Sequence, residues 1–105
     1  MDILIFFIMN ISDFQDLIKK LYYQKDLNRG IKNTFIWLIE EIGELATLLN
    51  SQNIDKEKIS EELADIIAWT VSIANLIEID MEKALLSKYP SNCKKCDSSP
   101  CKCRK

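Results

Sequence analysis

The residues best placed to do chemistry in this sequence are two short acidic clusters, Glu40-Glu41-Ile42-Gly43-Glu44 and Glu61-Glu62-Leu63-Ala64-Asp65. A helix turns about 100° per residue, so acids three apart lie on one side of it, roughly one turn from each other. Glu41 with Glu44, and Glu62 with Asp65, can therefore each aim two carboxylates at one point. Four carboxylates converging from two antiparallel helices repel one another unless a hard divalent cation neutralises them, and oxygen-only ligands favour Mg²⁺ or Mn²⁺. The expectation is a metal site at Glu41, Glu44, Glu62 and Asp65. The chain has no histidine, which removes the Glu-x-x-His di-iron bundle, His-based zinc hydrolases and Ser-His or Cys-His nucleophiles. What remains is chemistry done by a carboxylate-held metal and water.

A second constellation lies at the end of the chain, where all four cysteines fall in the pattern Cys93-x2-Cys96-x4-Cys101-x-Cys103. In a reducing compartment this spacing favours thiolate ligation of Zn²⁺ over disulfides. Asp97-Ser98-Ser99-Pro100 is a turn that folds both pairs around one ion. The alternatives are a pair of disulfides or a flexible tail holding adventitious metal.

Helices must position the acids. Ser12, with Gln15 three residues on, reads as a capping box opening helix 1 over residues 12–28, along which Phe14, Leu17, Ile18, Leu21 and Tyr22 recur at helical spacing. Asn28-Arg29-Gly30 stops it, because glycine tolerates the left-handed conformation at a helix C-terminus. Helix 2 starts between Ile31 and Thr34 and runs to Leu49, and Asp55 caps helix 3 over residues 56–78. Asp80 caps a short helix 4 reaching Lys88, which Tyr89-Pro90 ends.

With Glu41 as zero, Leu38, Ile42, Leu45, Leu49, Phe35, Ala46 and Ile39 fall between about 40° and 160° on helix 2. Glu41 borders that face, Trp37, Leu48 and Glu44 follow on the flank, and Glu40 lies opposite. With Glu62 as zero, Ile73, Ile66, Ile59, Ile77, Leu63, Ala74 and Ile67 occupy about 20° to 140° of helix 3, with Trp69 and Asp65 on the flank and Glu61 opposite. The two helices repeat one design. Glu40 and Glu61 read as solvated, and Trp37 and Trp69 as core residues with a substrate role as the alternative. Gly43, Ala64 and Ala68 suit a close approach of backbones, since glycine inside a helix costs about 1 kcal/mol relative to alanine. Ala64, Ala68, Val71 and Leu76 add apolar residues outside the main face of helix 3, which a second subunit would bury.

The 105 residues, 48% apolar and 29% charged, suit one globular, all-α antiparallel bundle completed by oligomerisation, with a short Cys-rich knuckle behind it. The net charge of −2 divides unevenly: residues 91–105 carry five Lys or Arg against one Asp, a local +4, leaving −6 for residues 1–90. Residues 3–8 form an apolar run too short to span a membrane and lacking the basic start and cleavage site of a signal peptide, so a cytoplasmic chain is expected. Met9 is then either the natural start, or residues 1–8 form an arm that packs on a partner. The organisation expected is an N-terminal extension over 1–11, a helical domain over 12–90 and a basic Cys-rich tail over 91–105.

Glu40-Glu41-x-x-Glu44 followed on the next helix by Glu62-x-x-Asp65 resembles the MazG-like all-α nucleoside triphosphate pyrophosphohydrolases. The strings Glu41-Ile-Gly-Glu44-Leu and Glu61-Glu62-Leu-Ala-Asp65 look especially like the compact members related to dCTP pyrophosphatases, and Ala84-Leu-Leu-Ser-Lys88 with Tyr89-Pro90 extends the likeness. The resemblance implies that Glu41, Glu44, Glu62 and Asp65 hold Mg²⁺, that a metal-activated water attacks the α-phosphorus, and that the products are monophosphate and pyrophosphate. It also implies a homodimer or homotetramer sharing its sites between subunits, and a phosphate contact from Lys88. The family's Asn and Arg residues between that lysine and the Tyr-Pro step are missing here, so Arg29, Lys32 or Asn33 are candidate substitutes. The competing function is a non-catalytic helical oligomer whose tail binds nucleic acid or protein through Lys94, Lys95, Lys102, Arg104 and Lys105.

Overall fold

The structure, a computed structural model, describes residues 9–104. Residues 1–8, read either as an arm or as preceding the natural start at Met9, and Lys105 of the basic tail lie outside the described residues. Four helices follow one another: α1 (Ile11–Arg29), α2 (Ile31–Leu49), α3 (Lys56–Leu76) and α4 (Met81–Lys88). Among the described residues there is no strand, and no helix is long and apolar enough to cross a membrane.

Helix α1 starts earlier than the Ser12/Gln15 capping box predicts. Asn10 is the cap: its side chain accepts from the Asp13 N–H at 2.7 Å, and the Asp13 carboxylate accepts the Asn10 N–H at 3.2 Å. Asn10 already has the extended backbone that a cap needs, which leaves Ser12 and Gln15 free for tertiary bonds. The Ser12 N–H donates to the Glu82 carboxylate of α4. Gln15 is buried; its Nε2 donates to Asn75 Oδ1 and to the Ile79 carbonyl, while its Oε1 accepts the Met81 N–H. Asn75 donates back to the Gln15 carbonyl. This closed network fastens α1 across the end of α3 and the start of α4, every polar atom in it finding a partner as burial demands.

Gly30, at φ 85° and ψ 161°, alone separates α1 from α2. Its N–H closes α1 on the Asp26 carbonyl, and its own carbonyl takes both the N–H and the hydroxyl of the fully buried Thr34. Asp55 and Asp80 cap α3 and α4 as expected, accepting from the N–H groups of Lys58 and Lys83. Helix α3 ends two residues before the expected position because Glu78 turns into the left-handed region at φ 58°. The Ile79 N–H then reaches the Ala74 carbonyl, and the Glu78 N–H that of Asn75. This is a Schellman closure with glutamate where glycine is usual.

Helices α2 and α3 pack against each other, α1 covers α3 and part of α2, and α4 leans on α1. The second side of α3, expected to need another subunit, is covered within the chain over Ala68, Val71 and Leu76, while Ala64 stays exposed. The unburied apolar surface lies elsewhere. On α2 the covered stripe is Thr34, Leu38, Glu41, Leu45 and Leu48, whereas Phe35, Ile39, Ile42, Ala46 and Leu49, placed by the helical wheel in the core, are exposed. Leu63 and Ile67 of α3 are exposed as well. Helix α2 thus has two apolar faces, and its own chain covers the one containing Glu41. A Cβ built on Gly43 meets nothing within 4 Å, so no neighbour among the described residues requires glycine there.

Candidate functional site

The antiparallel pairing of α2 and α3 sets Trp37 against Trp69 and Glu41 near Glu62 and Asp65. Carboxylate oxygens of Glu41, Glu62 and Asp65 lie within 4.8 Å of one another. Glu41 Oε2 and Glu62 Oε1 are buried and accept no hydrogen bond. A buried carboxylate oxygen without a donor is strongly unfavourable, and a cation between the helices would supply what both atoms lack. The donor set is all oxygen, which suits Mg²⁺ or Mn²⁺ and does not suit a softer metal.

Glu44, the fourth predicted ligand, lies outside this cluster of three but adjoins Glu62. The charge of Glu62, followed by a hydrogen bond with it, holds the Glu44 pKa above the ordinary 4.5. Glu62 is raised too, first because a proton on it would be shared with the neighbouring Glu41 carboxyl, then by partial burial and the Glu41 charge. The carboxyls are crowded enough to compete for protons.

Glu40 is exposed, as expected of a solvated face. Glu61 is also exposed but lies nearer the acids than the wheel suggests, lining with Glu44, Glu62, Thr47, Leu48 and Lys58 an open cleft of ≈440 Å³. Lys58 is the residue the sequence reading missed, and its position four residues before Glu62 on the same helical face was the available signal.

Beside the carboxylates stands a column of flat groups. The rings of Trp37 and Trp69 are 6.0 Å apart and inclined by 13°, and the Arg29 guanidinium lies over Trp69, 4.7 Å from its centroid. Arg29 also pairs with Asp26 at 2.7 Å, the latter only 1% exposed. Trp37 is 47% exposed. Asn33 donates to the Arg29 carbonyl at the head of α2, and Lys32 is exposed beside it. Lys88 is not among the groups lining the acidic cleft; it lines another, with the segment after α4.

That segment gathers the four cysteines. Their thiols are unequal: the Lys102 N–H is the main cause lowering the Cys96 pKa to about 6, the Cys96 N–H lowers that of Cys93, and hydrogen bonding with Cys101, then with Cys93 and Cys96, pushes Cys103 up to about 11.

Comparison with curated proteins gives no match for the chain. The sequence profile of the MazG nucleotide pyrophosphohydrolase domain matches residues 29–97, a span containing α2, α3, α4 and both acidic clusters, and leaving most of α1 outside. With two thirds of its length under that profile and the paired acidic helices inside the match, the chain belongs to the MazG nucleotide pyrophosphohydrolase domain family.

Proposed function

We propose that the chain hydrolyses nucleoside triphosphates between the α- and β-phosphates, one water and one triphosphate giving a nucleoside monophosphate and pyrophosphate. The observation that carries this reading is the convergence of Glu41, Glu62 and Asp65 with two orphaned buried oxygens. These three residues would hold Mg²⁺ or Mn²⁺, with Glu44 completing the ligand set from the next turn of α2. A bound divalent ion supplies neutralisation of phosphate charge and a lowered water pKa. The acids crowd in the metal-free chain and are relieved by the cation, so the site is preorganised for charge delivered with the substrate. Lys58 stands at the cleft to meet a phosphate oxygen, and Arg29, Asn33 and Lys88 are further phosphate contacts under this reading. The half-exposed face of Trp37, backed by Trp69, offers a stacking surface for the base.

The proposal includes a homodimer or homotetramer. Phe35, Ile39, Ile42 and Leu49 form an apolar stripe on the outer face of α2, and burying it against a second copy removes the surface this chain leaves wet.

The test is a panel of canonical and modified nucleoside triphosphates incubated with purified protein and Mg²⁺, with products separated by ion exchange. Monophosphate with pyrophosphate supports the reading. Diphosphate with orthophosphate refutes attack at the α-phosphorus. A chain inert on the whole panel is instead the non-catalytic oligomer whose basic tail binds a partner.

A further inference from the structure

The cysteines take no part in that chemistry, and what they do is independent of it. After α4 the chain folds back: the Cys93 N–H donates to the Ser98 carbonyl at 3.0 Å and the Asp97 N–H to the Cys93 carbonyl at 2.7 Å, with Asp97 in the left-handed region at φ 55°. The turn brings the two cysteine pairs face to face. Cys93 Sγ lies 3.8 Å from Cys103 Sγ, Cys96 Sγ lies 3.9 Å from Cys101 Sγ, and all four sulfurs are within 4.8 Å of one another. A disulfide needs sulfurs about 2.05 Å apart. Sulfurs at the corners of a tetrahedron whose metal–sulfur bonds are about 2.3 Å stand about 3.8 Å apart. The two observed separations are those of tetrahedron edges. Backbone N–H groups also point at the sulfurs, Lys102 to Cys96 and Cys103 to Cys101, each at 3.3 Å. Such donors orient and stabilise thiolate ligands.

We propose that Cys93, Cys96, Cys101 and Cys103 hold one Zn²⁺ in a closed tetrathiolate site that fixes the C-terminal segment against the end of α4. Four thiolates select zinc over the hard cations that suit the carboxylates, and they leave no open position for substrate. The ion with its four thiolates carries a net charge of −2, and Lys94, Lys95, Lys102 and Arg104 surround it in sequence to offset that charge. Lys94 also fastens the knuckle to the helix by donating to the Ser87 carbonyl at 3.1 Å. The family profile ends at Asp97, between the two pairs, so half of the ligand set lies beyond the matched domain.

Elemental analysis of protein purified in reducing buffer without added metal should give about one zinc per chain. Replacing zinc by Co²⁺ should produce the intense visible bands of tetrahedral cobalt bound to sulfur. Cys96→Ser and Cys101→Ser should each weaken retention by more than about 100-fold, exceeding what loss of an outer hydrogen bond costs. Helical circular dichroism should persist in both variants, because the four helices lie outside the knuckle. Thiol counting in denaturant with chelator and no reductant separates the alternatives: four reactive thiols accompany zinc, whereas none until a reductant is added means disulfides and overturns the site. Iron in place of zinc, or metal retained by both serine variants, overturns it as well.

Discussion

At the scale of single residues, the candidate site rests on which carboxylates face one another. Glu41→Gln or Asp65→Asn should cut pyrophosphate release by at least about 100-fold, the order expected when a group aimed at transition-state charge is lost, while leaving helicity unchanged. Glu61→Gln should retain activity within a few-fold; equal loss in all three variants would sink the assignment. Acidity gives a second prediction. Because the folded-state pKa values of Glu44 and Glu62 lie above 4.5, the metal-free folded chain binds protons more tightly than the unfolded one. Its stability from this source is present below pH 4.5 and declines as pH rises through the raised values. Thermal melts in chelator across that range should show the decline, Glu62→Gln should flatten it, and Mg²⁺ should reverse it near neutrality. The pattern of acids was legible in the sequence because period 3.6 puts Glu41 with Glu44 and Glu62 with Asp65. Hidden from it was the separation of Glu44 from the cluster of three, which depends on how far one helix slides along the other, whereas Lys58, one turn before Glu62 on the same helix, was legible and passed over.

At the scale of elements, the boundaries of α2 and α4 followed from local chemistry, as Asp80 and Gly30 act on their own neighbours. The start of α1 did not, because Asn10 and Ser12 both suit a cap and the tertiary bonds of Ser12 and Gln15 decide between them. The end of α3 was missed for a related reason: nothing in glutamate advertises the left-handed conformation that Glu78 adopts. Glu78→Gly should therefore stabilise the chain by about 1 kcal/mol, the strain of a side chain in that region being relieved. Gly30→Ala should do the opposite, costing about 1–3 kcal/mol, although an added Cβ meets nothing within 4 Å. Urea denaturation of the two variants checks both signs; a neutral Gly30→Ala would show that the α1–α2 junction relaxes without cost.

At the scale of the whole molecule, the sequence reading assigned seven apolar residues of α2 to one core, and the chain covers only Leu38 and Leu45 of them. Periodicity reports that a face is apolar and is silent on what covers it. The apolar residues buried within the described chain are Ile18, Val71 and Ala74, a small interior for helices of this length. The exposed stripe from Phe35 to Leu49 and the carboxylate of Glu41 occupy adjoining faces of α2. In the proposed dimer, light scattering at micromolar concentration should give an even number of chains, and specific activity should fall on dilution; a fully active monomer would refute the shared site. Mass action then governs folding as well as assembly. Each tenfold dilution withdraws about 1.4 kcal/mol from the folded dimer, so the melting temperature should depend on concentration. Below the dissociation constant the number of assembled sites rises with the square of the number of chains. A cell making a few copies would hold an idle protein, and a modest increase in synthesis would switch it on more steeply than in proportion, with the wet face of α2 setting the threshold.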